Sequence, residues 1–317
     1  MKGVRVPHPL AVKKFLRDPL MTLDPRRTAY RRLMQSVSSD PSTFTEKLIH
    51  KMAFDRNPLL HNFADKIEVR GYVASRVGSE VLPEPHGTFD RADQLNGDAL
   101  PREFVLKAAH GSGAVAVVWD GAPRGSRPTA DQSPTWDWRD QIHPDDLDRA
   151  QLARLAAGWL DLSYGLTFRR PEWAYSGLQP RLLVEEVLRD AHGELPSDVK
   201  LYLMHGRCTA IDFHLARFTD HRGLFLSRTW EVLPGNHVGR AAPDDTPPRP
   251  DNLDRMIEIA EGLSADVDFI RVDLHDLGDR VVFGELTNYP GAANRVFVPP
   301  EFDRDLGAAW HPPRRYA

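Results

Sequence analysis

The tightest constraint on this chain lies near its C-terminal end, where Arg271-Val-Asp273 is followed, twelve residues after Asp273, by Glu285-Leu-Thr-Asn-Tyr-Pro-Gly291. Both segments sit in apolar, strand-like runs, Phe269 to Leu274 and Arg280 to Leu286, and Gly278-Asp279 between them predicts a tight reversal. A hairpin of this kind can set Asp273 and Glu285 on one side of a sheet. Two carboxylates placed so offer oxygen ligands to a hard cation such as Mg²⁺, which usually also binds substrate phosphates. The two-residue period of a strand puts Thr287 on the face of Glu285 and Arg271 on the face of Asp273. Spacing alone fits equally well two solvated carboxylates beside a turn, so other segments must decide.

A second signal is Lys107, at the end of the apolar run Glu103-Phe-Val-Leu-Lys-Ala-Ala and just before His110-Gly-Ser-Gly113, after which Ala114 to Trp119 is apolar again. This reads as strand, glycine loop, strand. Glycines let backbone N–H groups approach a phosphate closely, and a lysine adds a compact positive charge beside them. A plain hairpin with a flanking lysine would look the same. The third signal is Glu185-Glu186 inside the apolar run Leu182 to Leu188. Adjacent residues of a strand face opposite sides, so one acid would point inward and need a lysine or a ligand hydroxyl as partner, unless the strand is an edge with both acids solvated. Asp198 and Lys200 share one face further on.

Around these signals the sequence predicts a helix and then a loop before residue 43, a capped helix from Thr43, a helix from Asp65 to Val77, and an inserted loop over 120–144. An amphipathic helix should run from near Asp145 to Tyr164-Gly165, followed by strands at Val199 to Met204 and Cys208 to His214, a linker over 234–252 and a helix from Leu253 to Ser264. Strands outnumber helices in this half, which favours α+β over a doubly wound sheet. No G-x-G-x-x-G or G-x-x-x-x-G-K-[ST] sequence occurs, so a nucleotide would need another design.

Several function classes drop out. With 317 residues, 41% of them hydrophobic, and a net charge of −4, the chain is globular and lacks the positive field of a sequence-independent nucleic-acid binder. Arg26, Arg27, Arg31 and Arg32 read as the solvated face of a helix. The single cysteine, Cys208, excludes an intramolecular disulfide and a multi-cysteine zinc site. No run approaches ~18 apolar residues and the first sixteen residues form no signal-peptide core, so the expectation is a cytoplasmic protein without a membrane span. His205, Cys208, His214 and His221 match no zinc spacing, Ser112 stands in no nucleophile-elbow sequence, and His110 reads as loop packing.

Taken in chain order across residues 45 to 310, the pieces resemble the ATP-grasp superfamily. The phrases Phe63-Ala-Asp-Lys-Ile, Phe104-Val-Leu-Lys, Gly284-Glu-Leu-Thr and Phe302-Asp-Arg-Asp-Leu-Gly307 look like its TupA-like branch, associated with teichuronopeptide and other surface-polymer biosynthesis. The resemblance implies two α+β subdomains clamping ATP. Residues 1–43 would be a helical and loop segment, 44–102 a reduced pre-ATP region, 103–187 the small lobe with the glycine loop, and 188–317 the large lobe with the metal site.

The resemblance also implies roles. Lys66 and Lys107 with Gly111, Ser112 and Gly113 would bind phosphate, Glu185, Glu186 and Leu188 would form the hinge meeting the adenine edge, and Asp198 would contact ribose. Lys200 and Arg217 would contact phosphate, Arg271 would face the transferred phosphoryl group, and Asp273, Glu285 and Thr287 would hold Mg²⁺. Lys200 replaces an arginine of the RimK-type ligases, and Thr287 stands where many members have a metal-binding asparagine, with Asn288 adjacent. The short region before Lys66 leaves the acceptor site open, with the loops around Trp136, Trp138 and Trp173 as candidates for it. The implied activity is an ATP- and Mg²⁺-dependent ligase joining a carboxylate, activated as an acyl phosphate, to an amine, on small-molecule, glycan or peptide substrates. A phosphotransferase acting on a hydroxyl is the alternative. A non-catalytic nucleotide binder is disfavoured by the intact pair Asp273 and Glu285.

Overall fold

Alternating burial organises the first of two five-stranded sheets, built from β1 (Pro85–Phe89), β2 (Phe104–Ala108), β3 (Val115–Val118), β4 (Arg139–Ile142) and β5 (Leu182–Glu185) in the order β1-β5-β2-β3-β4. Along β2, Phe104, Leu106 and Ala108 are buried while Val105 and Lys107 are only half-buried on the other face. The inward residues pack with Leu152, Leu155, Ala156 and Trp159 of the helix Arg149–Asp161. The outward face of β2 and β3 is left to line a cleft. This computed structural model describes residues 25–96, 100–125, 135–136, 139–165, 171–215 and 220–316, with side chains from residue 30 onward. Arg217 and Trp138 therefore lie outside the described residues.

The second sheet contains β6 (Asp198–Met204), β7 (Arg207–Leu215), β8 (Arg222–Leu226), β10 (Phe269–Asp276) and β11 (Val281–Thr287) in the order β11-β10-β6-β7-β8, all neighbours antiparallel. Short strands β9 (Asn236–His237) and β12 (Phe297–Val298) pair beside it. Val199, Leu201 and Leu203 point into one large core with Val272 and Leu274 and with Met256, Ile257 and Ala260 of the helix Leu253–Leu263. Phe44, Leu48 and Met52 of the helix Phe44–Phe54, spaced by four, join the same core. That helix starts where expected: Thr43 Oγ1 accepts from Glu46 N at 3.2 Å, and Glu46 Oε2 accepts from Thr43 N at 3.1 Å.

The α+β architecture read from the sequence is present, and the hairpin at 269–287 forms as expected. Three expectations are corrected. The segment 120–144 is not only a loop, because it contains β4, parallel to β3; its polar residues Arg139 and Gln141 face the cleft and hide the strand pattern. The helix after it begins at Arg149, where Asp148 caps Gln151 N at 3.0 Å, and ends at Asp161. The helix expected over Asp65 to Val77 is the segment Val69–Val77 preceded by a turn, because Asp65 Oδ1 accepts from Ile67 N and Glu68 N at 2.9 and 3.2 Å. Among the described residues no helix is long and apolar enough to cross a membrane.

Candidate active site

The two sheets face a cleft of about 410 Å³. Its outer wall is the exposed face of the first sheet, with Val105, Val115 and Val117 beside Trp119, Leu188 and Leu195. A flat heteroaromatic group fits such an apolar slot. Lys66, Lys107, Ser112 and Gly113 line the same cleft, as do Glu185, Glu186, Asp198, Asp273 and Glu285. Folding thus brings together ten of the residues singled out from the sequence.

The floor follows from strand register. Asp212 on β7 stands opposite Lys200 on β6, Lys200 opposite Asp273 on β10, and Asp273 opposite Glu285 on β11, so one row of four charged residues crosses four strands on a single face. The next row sets Tyr202, Arg271 and Thr287 in line. Gly284 is the extra residue of a bulge in β11, which lets Asp273 and Glu285 meet despite their sequence spacing. Arg271 grips Asp273 with two bonds, Nε to Oδ1 at 2.6 Å and Nη2 to Oδ2 at 2.8 Å, and Lys200 Nζ reaches Oδ2 at 2.6 Å. Burial works against the Asp273 charge, but Arg271 and Lys200 outweigh it and hold the carboxyl below its ordinary range. The Arg271 guanidinium stays charged despite its own burial because Asp273 lies against it.

Arg271 and Lys200 do not line the cleft themselves: they brace Asp273 from beneath. Thr287 Oγ1 accepts from Arg271 Nη2 at 2.9 Å, and Thr287 lies outside the cleft lining. Asn288 Nδ2 donates to Leu60 O at 2.8 Å, tying β11 to the helix Leu59–Ala64, and its Oδ1 is buried without a partner among the described residues. Glu285 is half-buried and makes no hydrogen bond or ion pair among the described residues. Asp273 and Glu285 are thus the two carboxylates at hand. That donor set fits Mg²⁺, which commonly takes one or two carboxylates and completes its shell with waters and phosphate oxygens.

The phosphate-binding candidates lie opposite. Lys66 Nζ donates to Gly111 O across the glycine loop, and its backbone N to Ala109 O at 3.1 Å. Burial pulls the Lys66 ammonium below its ordinary pKa, while Glu285 pulls the other way. Lys107 Nζ binds Glu185 Oε2 at 2.5 Å and Arg70 Nη1 binds Oε1 at 2.7 Å, so Glu185 is the inward acid with the partner that burial demands. Glu186 pairs with Arg280 Nη2 at 2.9 Å, linking the end of β5 to the hairpin of the second sheet. Asp198 is buried, 3.6 Å from Lys200 Nζ and 3.9 Å from His275 Nε2.

The glycine loop is glycine for a reason that the sequence did not give. A Cβ on Gly111 would collide with the Trp136 ring and one on Gly113 with the Trp136 carbonyl; Gly113 also has φ of +105°. His110 is buried, with its ring edge-on to Trp136 at 5.1 Å between centroids. Trp173 packs instead against His61, tilted by 55° at 4.1 Å between centroids, and under Arg56 at 5.2 Å, away from the cleft lining. His214 and His221 pair with each other, Nδ1 to Nε2 at 2.9 Å. Sequence reasoning missed Asp212, Arg70, Glu172, His237 and Arg240. None stands in a motif, and only the strand register or a fold contact brings them to the site.

Residues 157–311 match the family model of the TupA-like ATPgrasp proteins, which covers the hairpin, the charged row and the turn after Tyr289 but not Lys66, Lys107 or the glycine loop. The ATP-grasp resemblance is therefore borne out over that segment. Among solved structures, the chain is similar to the ATP-grasp ligase PsnB complexed with a phosphomimetic variant of its minimal precursor, Mg and ADP, at 11% identity and TM-score 0.36, covering 80% of this chain and 60% of that one. It is similar to D-alanine–D-alanine ligase from Bacillus anthracis complexed with ATP, at 11% identity and TM-score 0.37, over 78% and 61%. A third likeness is to the Helicobacter pylori D-alanine–D-alanine ligase, at 13% identity and TM-score 0.39, over 79% and 61%. The chain thus spans about 60% of the length of these structures. No curated protein matches it in sequence.

Proposed function

We propose that this chain, which carries the TupA-like ATPgrasp match over residues 157–311, is an ATP-dependent ligase that activates a carboxylate as an acyl phosphate and passes the acyl group to an amine. One observation carries the reading: two lysines from the glycine-loop side, Lys66 and Lys107, and two acids paired across the β10–β11 hairpin, Asp273 and Glu285, line one cleft with an apolar wall. ATP lies with its base against Val105, Val117 and Leu188, meeting the backbone after Glu185, and with its ribose near Asp198. Its phosphates run past Lys66, Lys107 and the N–H groups of Gly111, Ser112 and Gly113. Arg217, which lies outside the described residues, is assigned a phosphate contact on the sequence resemblance alone.

Asp273 and Glu285 would hold Mg²⁺, which would supply charge neutralisation at the phosphate chain. Thr287 serves through Arg271, whose guanidinium it orients. In the reaction an oxygen of the substrate carboxylate forms a bond to the γ-phosphorus as the bond to the β-phosphate oxygen breaks and ADP leaves. The amine then attacks the acyl carbon, phosphate departs with the C–O electron pair, and the amine loses a proton. Arg271 and Lys200 fix Asp273 in place, so no side chain must reorganise as charge develops. Surface-polymer assembly in the cytoplasm is the setting this reading implies, with a glycan, peptide or small-molecule acid and an amine as substrates.

Hydroxylamine intercepts acyl phosphates, so incubation with ATP, Mg²⁺, a panel of amino and uronic acids and hydroxylamine should yield a hydroxamate with the productive acid. A stable phosphate ester from an alcohol, with no hydroxamate from any acid, would replace the ligase by a phosphotransferase.

A further inference from the structure

On the other side of the charged row lies a second cavity of about 230 Å³. His214 belongs to the lining of both cavities, and Arg271, which holds Asp273 of the cleft, lines the second. The two spaces are therefore neighbours, with His214 between them and Arg271 bonded to Asp273 from the side of the second. Arg240, Arg295, His237 and Asp212 also line this second space, which gives it three guanidinium groups against the carboxylate of Asp212.

Among the described residues, two of these guanidinium groups keep N–H donors without an acceptor. The Arg240 side chain is only 7% exposed. Its Nε donates to Asn236 Oδ1 at 2.6 Å, and its Nη1 lies on Asp212 Oδ1 and 3.0 Å from His214 Nε2. Among the described residues its Nη2 finds no partner, and neither does Nδ1 of the buried His237. A buried guanidinium N–H left unpaired costs free energy, which an oxygen acceptor would relieve. Arg295 is exposed and makes no hydrogen bond or ion pair among the described residues. Its stem lies across Gly291, where a Cβ would stand 2.6 Å from Arg295 Cγ and where φ is +58°, so the turn after Pro290 is shaped to hold this arginine at the cavity. The missing acceptors suit a carboxylate, whose two oxygens match guanidinium donors.

We propose that the second cavity binds a second anionic group of the acid substrate, so that the acid activated in the cleft is a compact dicarboxylate. One carboxylate meets the transferred phosphoryl group beside Arg271, while the other accepts from Arg240 Nη2 and faces Arg295. A monocarboxylate of the same length would leave Nη2 unpaired. This inference rests on the ligase reading for which carboxylate reacts, but the subsite can be measured without turnover.

The test is calorimetric binding of succinate and glutarate, with butyrate and valerate as singly charged counterparts, to the full chain in the presence of a non-hydrolysable ATP analogue and Mg²⁺. A dicarboxylate should bind at least about tenfold more tightly than its counterpart. Arg295→Gln, a change at an exposed side chain, should remove most of that preference while butyrate and nucleotide affinities stay the same. Arg240→Gln should do likewise, and circular dichroism reports whether that more buried change still folds. Equal affinities for the two acid classes, or an undiminished preference in Arg295→Gln, would overturn the assignment. Hydroxamate from monocarboxylates alone would also overturn it and leave the ligase standing. A dicarboxylate preference lost in Arg295→Gln, with no hydroxamate from any acid, would uphold the subsite and remove the ligase.

Discussion

Glu172 offers a perturbation whose size can be worked from the structure. It is 5% exposed, in the turn before Trp173, where its backbone N donates to Gly165 O at 3.0 Å. Burial pushes its carboxyl up from an ordinary 4.5 to about 8, the Glu285 charge adds to the rise, and a bond from the Tyr164 hydroxyl opposes it. Tyr164 also bonds Ser112 of the glycine loop, so this acid supports the loop from behind. A folded pKa above the unfolded one means that the contribution to stability is fully present below about pH 4.5 and is lost as pH rises through about 8. At about 1.4 kcal/mol per pKa unit, the loss between pH 5 and pH 7 is roughly 2–3 kcal/mol. Glu172→Gln keeps the volume and an acceptor for Tyr164 but cannot ionise. Urea unfolding of both proteins at pH 5, 6, 7 and 8 cancels the titration of all other groups in the difference. The variant should gain stability relative to the parent by roughly 2–3 kcal/mol over pH 5 to 7. Parallel stability curves would refute the buried, protonated acid.

Three further outcomes follow from the same contacts. Glu285→Gln should lower ATP turnover by about a hundredfold or more while unfolding shifts by less than about 0.5 kcal/mol, because Glu285 has no ion-pair partner among the described residues to strand; a steady-state ADP assay beside a urea melt checks both. Asp273→Asn should lose turnover and also about 3–5 kcal/mol of stability, since Arg271 and Lys200 are left buried against a neutral group; full stability in that variant would contradict the network. Lys107→Ala should raise the ATP concentration needed for half-maximal rate by about tenfold with kcat less affected, and an unchanged requirement would make the lysine purely a partner of Glu185.

What could be read from the sequence was whatever depends on local period. The hairpin at 269–287, the glycine loop between β2 and β3 and the capped helix at Thr43 each declare themselves within a dozen residues. That one of Glu185 and Glu186 would be a buried acid in need of a cation was legible, though that it is Glu185, with Arg70 as its second partner, was not. β4 escaped notice because a strand that turns Arg139 and Gln141 to a polar cleft lacks the apolar alternation that marks strands elsewhere. Arg240 lay in a stretch rich in Pro, Gly and Asp that reads as linker, and only the pairing of β9 with β12 turns it toward Asp212. Arg271 was expected to face the phosphoryl group; its two bonds go to Asp273, and it lines the second cavity and not the cleft.

The charged row itself says why this sheet is built for a ligand. Asp212, Lys200, Asp273 and Glu285 occupy the centre of a sheet whose opposite face, with Val199, Leu201, Val272 and Leu274, is packed in the core. Apolar residues in the row would hold the sheet at least as well, because buried ion pairs seldom repay their desolvation. The row carries two more acids than Lys200 alone can balance, and the balance comes from Arg271 and Arg240 reaching in from neighbouring positions. The last acid, Glu285, makes no ion pair among the described residues and is half-open to the cleft. A strand pair that fixes Asp273 with two cations and leaves Glu285 unpaired among the described residues holds one carboxylate rigid and one available, an arrangement that would suit the proposed divalent cation carried in with a phosphate chain.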